Sequence, residues 1–164
     1  MALQIYKIAS IEVGSGGSSY LEFASIPAGY TDLKLELSCR DAGGAGALSL
    51  TLNGTGASIR RLYGNGNGSK GSDTYAPDGS GMTNSSGFVA GSFSSNTYYI
   101  PNYTSSTQKA VSIDGVQENT AADTYMMMFA NLVNTTSAVS TLRITPNGGS
   151  GFAQYTIATL YGIL

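Results

Sequence analysis

The sequence contains no histidine and a single cysteine, Cys39. Without an imidazole there is no Ser-His-Asp triad, no His general base and no His metal site. One cysteine makes neither an intrachain disulfide nor a cysteine-cluster zinc site. Serine is abundant, but its hydroxyl needs an adjacent base, and Lys7, Lys34, Lys70 and Lys109 are the lysines that could serve. Lys34 falls on the exposed phase of an alternating run, and Lys70 lies among glycines. Cys39 falls on the apolar phase of its run, where a thiol behaves as a small hydrophobe. Paired carboxylates facing one another across a sugar are what a glycosidase requires. The candidates are Asp73 with Asp78, and Asp114 with Glu118 and Asp123. Asp114-Gly115 reads as a turn, and Asp73 and Asp78 sit in a polar stretch facing water. Asp73, Asp78 and Asn84 also offer hard oxygens, but neither an EF-hand spacing nor a dense acidic run accompanies them. Gly64-Asn65-Gly66-Asn67-Gly68 has the look of a phosphate loop without the helix such a loop needs. The residues therefore predict no catalytic group, no metal and no cofactor, and a protein that is not an enzyme.

The eleven tyrosines carry more information. Tyrosine offers a large rigid contact area with a polar tip, suited to subunit interfaces and to sugar-stacking platforms. Tyr98, Tyr99 and Tyr103 bracket Ile100-Pro101-Asn102. The interface candidates are Tyr75 and Pro77, then Tyr98, Tyr99, Ile100 and Pro101, and finally Arg60 and Arg61. Neighbouring strand residues point to opposite faces, so one of the two arginines must point inward. An unpaired buried charge is costly, which predicts a salt bridge there, within or between subunits.

The elements that position these residues are strands. Leu33, Leu35, Leu37 and Cys39 alternate with Lys34, Glu36, Ser38 and Arg40; Leu48, Leu50 and Leu52 alternate with Ser49, Thr51 and Asn53. Each run buries one face and wets the other, the habit of antiparallel sheets. Strands are expected near 3–13, 19–26, 31–40, 47–53, 57–63, 87–93, 96–100, 108–116, 122–133, 138–145 and 151–162. The Tyr125-Met126-Met127-Met128-Phe129 run is expected as a strand buried on both sides. Many short strands divided by Gly, Pro and Asn turns predict an all-β antiparallel β-sandwich, jelly-roll-like, as a single domain over 1–164. One long Gly/Ser-rich loop, about 64–86, interrupts it. Only 11% of the 164 residues are charged and the net charge is −2, so no basic face for nucleic acid is expected. No stretch approaches the ~18 apolar residues of a membrane helix, and the first residues lack the pattern of a secretory signal. The apolar strand ending at Leu164 is expected to need cover from its own sheet or another chain.

Three phrases carry a resemblance: Ile26-Pro27-Ala28-Gly29-Tyr30-Thr31-Asp32-Leu33, Ile100-Pro101-Asn102-Tyr103-Thr104-Ser105-Ser106, and Ala158-Thr159-Leu160-Tyr161-Gly162-Ile163. With them the chain resembles small β-rich structural proteins of tailed bacteriophages. The resemblance implies a virion protein, often trimeric, on the capsid surface or in a tail fibre, and brings no functional residues. The expectation drawn from it is a homotrimeric capsid decoration (cement) protein that binds the major capsid protein, with synthesis in the host cytoplasm. The alternative is a tail-fibre or receptor-binding module for host surface polysaccharide.

Overall fold

The computed structural model describes residues 4–44, 46–74, 79–119 and 123–164. It is all-β and antiparallel, and its strands form one nearly closed, barrel-like sheet. In chain order these are β1 (Ile5–Glu12), β2 (Leu21–Phe23), β3 (Asp32–Cys39), β4 (Leu48–Leu52), β5 (Thr55–Asn65) and β6 (Lys70–Asp73). There follow β7 (Ser94–Ile100), β8 (Lys109–Asn119), β9 (Asp123–Val133), β10 (Leu142–Pro146) and β11 (Ile157–Ile163). Their order around the sheet is β1-β11-β3-β7-β8-β9-β5-β4-β10-β2, with β6 alongside β5.

The alternating runs decide which way each strand faces. Leu33, Leu35, Leu37 and Cys39 of β3, Leu48, Leu50 and Leu52 of β4, and Leu142 and Ile144 of β10 point into the core. Ile113, Phe129, Phe152 and Leu160 close it. Burying each such side chain contributes roughly 1.5–3 kcal/mol. Lys34 pairs with Glu36 at 2.6 Å, and Arg143 with Glu22 at 2.7 Å, on the wet face.

Three expectations are corrected. The stretch 64–86 is not a loop throughout. β5 runs on to Asn65 and returns as β6, because Asn65-Gly66-Asn67-Gly68-Ser69 makes a tight turn: Gly68 adopts φ +89° and its N–H donates to Asn65 O at 2.9 Å. No strand forms over 87–93. There the chain turns twice, Phe88 N–H to Ser85 O and Ser92 N–H to Val89 O, and the Arg40 guanidinium holds the Val89 and Ser92 carbonyls at 2.9 Å each. Asp114-Gly115 is no turn but the middle of β8; a Cβ on Gly115 would come within 2.9 Å of Asn96 Oδ1.

The same polar stretch holds the least expected element. Residues Gly79 to Ser85 are buried, although they form no strand of their own. They lie between β4 and the inward faces of β7, β8 and β9. A buried backbone must have its hydrogen bonds met, and inward polar side chains meet them. Asn96 accepts from Met82 N–H at 2.9 Å and donates to Met82 O at 2.8 Å. Ser94 donates to Met82 O at 2.8 Å, Gln117 to Thr83 O at 2.6 Å, and Tyr98 to Ser80 O at 2.6 Å. Asn131 reaches the Ser80 hydroxyl, and β4 contributes Leu48 N–H and O.

Candidate interaction surface

The predicted interface residues separate. Tyr98 and Ile100 are fully buried and present nothing to a partner, a correction that follows from their phase: both lie on the inward side of β7. Tyr99 is exposed, its hydroxyl bonded to Asp32 at 2.6 Å, and Pro101 is half-buried. Tyr75, Pro77 and Asp78 lie outside the described residues. Arg61 is the inward arginine. It pairs with Asp73 at 2.6 Å across the β5–β6 hairpin and lies 4.7 Å over the Tyr63 ring. The salt bridge expected for one arginine is therefore internal to the chain, and it occupies Asp73, one of the carboxylates weighed above as a glycosidase pair. Arg60 points outward and is exposed.

Arg60 stands at the rim of a surface that alternation did not disclose. The outer face of β5, β9 and β8 is apolar and open: Leu62 is 58% exposed, Val116 49%, Met126 62%, Met128 54% and Leu132 47%. The Met run is a strand, as expected, but only Met127 and Phe129 are buried; its other face is bare. Register aligns the exposed side chains in rows. Gly64, Met126 and Val116 share a level, then Leu62, Met128 and Asp114, then Arg60, Ala130 and Ser112, then Ser58, Leu132 and Ala110. Large rows flank the small Ala130–Ser112 row, leaving a trough of about 600 Å³ that also touches Asp73. An exposed apolar patch of this kind marks an interaction site.

The reactive groups elsewhere are quiet or enclosed. Cys39 is buried beside Ser94, and burial pushes its thiol up to about 11. Lys109 is buried; its ammonium donates to Ser105 O at 2.8 Å, to Thr107 O and to Thr135 O. Asp41, unmarked in the sequence, is fully buried. Gly43 N–H serves Oδ1, Oδ2 has no partner among the described residues, and burial raises its pKa. Among the described residues no three His, Cys, Asp or Glu side chains group to hold a metal.

A second cleft, about 430 Å³, opens between Ser15–Ser19 and Gly149–Gln154 and is lined by serine and glycine. Tyr155 follows it, exposed and at φ +69°, a left-handed conformation that is an outlier for a bulky residue.

No protein-family model matches this chain, and no curated protein matches it.

Proposed function

We propose that this chain is a structural protein of a tailed-bacteriophage virion, a decoration (cement) protein that binds the major capsid protein and stabilises the shell. The observation that carries this reading is the bare apolar face of β5, β9 and β8, a surface suited to assembly. A cement protein acts through buried area repeated by symmetry, and apolar cover of this sort supplies it with little dependence on salt.

The strand order supports a jelly roll beneath the barrel. β1 pairs with β11, β2 with β10, β3 with β7 and β4 with β5, the pairing of one long antiparallel ribbon. The ribbon then folds over itself, so that β11 meets β3 and β10 meets β4. β8 and β9 are an added hairpin that bridges β7 to β5. Jelly rolls are recurrent in viral capsid proteins and in lectins.

An antibody to this protein should label the capsid faces of negatively stained virions, and virions lacking it should lose resistance to heat and osmotic shock. Unchanged resistance would sink the cement role. The second reading, a receptor-binding module for surface polysaccharide, is favoured by exposed Tyr155, which follows directly in sequence on the Gly149–Gln154 wall of the second cleft. It predicts label at the tail and glycan binding that Tyr155→Ala removes.

A further inference from the structure

We propose that the apolar face of β5, β9 and β8 is covered by a second copy of this chain, related to the first by a two-fold axis. The inference rests on the assembly reading above only in taking this face as an assembly interface; here the face joins two copies of the chain, and the capsid protein is met by another surface of the pair.

The first argument is charge. Arg60 stands on β5 at the level of Ala130, and Asp114 on β8 at the level of Met128. They lie on opposite sides of β9, diagonally about the midpoint between Ala130 and Met128. Two strand spacings, about 10 Å, separate them, too far for an ion pair within the chain. Among the described residues neither has an ion-pair partner; the Arg60 guanidinium bonds only its own strand, at Ile59 O, 2.8 Å. A two-fold axis lying in the face, perpendicular to that diagonal, sets Arg60 of each copy against Asp114 of the other. One operation satisfies both charges on both chains, the self-complementarity that an isologous contact requires.

The second argument is extent. Five large side chains, each about half exposed, leave ~500 Å² of apolar area bare, at the upper end of what a monomer shows. With the polar rim of Ser58, Arg60, Ser112 and Asp114, the face approaches the ~800 Å² per partner that a standard interface buries. A threefold contact, as expected from the resemblance, is heterologous and needs a second, different surface complementary to this one. The two-fold contact needs only the face described.

The experiment is light scattering and sedimentation of the purified full chain at micromolar concentration, with circular dichroism and a thermal melt as the folding control. The wild type should run at twice 16.9 kDa. Arg60→Asp alone and Asp114→Arg alone should each weaken the dimer by about tenfold or more, since each sets like charges together. The double variant R60D/D114R should recover to within about threefold of wild type, because the swap restores opposite charges across the axis. Met128→Gln should weaken association, and at a dilution where wild type and variant are both monomeric it should leave the melt unshifted. A monomeric or trimeric mass overturns the proposal. So does a dimer that ignores both charge reversals, or a double variant no stronger than the singles. The virion reading is tested apart from it. A monomer that still labels capsids ends this inference alone, and a charge-swappable dimer absent from virions ends the virion reading alone.

Discussion

At several positions the inner and outer faces of β8 and β9 reverse the usual distribution of polarity. Inside, Gln117 and Asn131 are buried and bonded to the Gly79–Ser85 segment. Outside, Val116, Met126, Met128 and Leu132 stand in solvent. Adjacent residues of one strand thus carry opposite chemistry in the unexpected sense. The difference teaches that a side chain answers to what it faces rather than to depth alone. The inner segment presents bare peptide groups, and only donors and acceptors suit them. On the reading proposed above the outer face meets a partner, and apolar side chains suit that.

This contrast assigns most of the stability to the inside. Asn96→Ala should have the largest effect, because Met82 N–H and C=O both lose a partner in a site closed to water. A loss of about 3 kcal/mol is expected, read as a fall of about 10 °C in the melt. A loss under about 1 kcal/mol would mean that water reaches the segment. Lys109→Met should cost about 2 kcal/mol in urea unfolding, since three carbonyls lose their donor while the apolar stem is kept.

A smaller effect belongs to Asp41, whose sign follows from burial. Its folded-state pKa lies above the unfolded value, so the folded chain favours the neutral acid. That contribution is complete below the unfolded pKa and is lost as pH rises through the folded one. Asp41→Asn should therefore gain on the wild type as pH rises from about 4 toward neutral, and the two melting curves should draw together in acid. A difference independent of pH would contradict it. The smallest effect is outside: Met126→Gln should leave stability within about 0.5 kcal/mol in the same denaturation.

Much of the barrel was legible because β3, β4 and β10 each alternate one apolar with one polar side chain. β6 was not, since Lys70-Gly71-Ser72-Asp73 has no apolar phase and takes its place from pairing with β5. The inner segment was not, since Gly79-Ser80-Gly81-Met82-Thr83-Asn84-Ser85 has the composition of a surface loop and is buried by partners on four other strands. β9 misled for the opposite reason. With Met126 and Met128 between Tyr125, Met127 and Phe129, both phases are apolar, so alternation could not say which was bare. Of the interaction surface only Arg60 was singled out, because a charged pair in a strand demands that one member face outward. Leu62, Val116 and Leu132 were plain β residues until register placed them in rows.

The enclosed segment also couples events in time. Gly79 to Ser85 bonds to β4, β7, β8 and β9 at once, so seating the segment and closing the β8–β9 hairpin between β7 and β5 depend on one another. Closure then waits on the meeting of β4, β5, β7, β8 and β9 around one stretch of chain, the non-local assembly that makes β proteins slow to fold. Until it occurs, the edges of β5 and β7 stay open to other chains, and the newly made protein is most prone to aggregate in that interval.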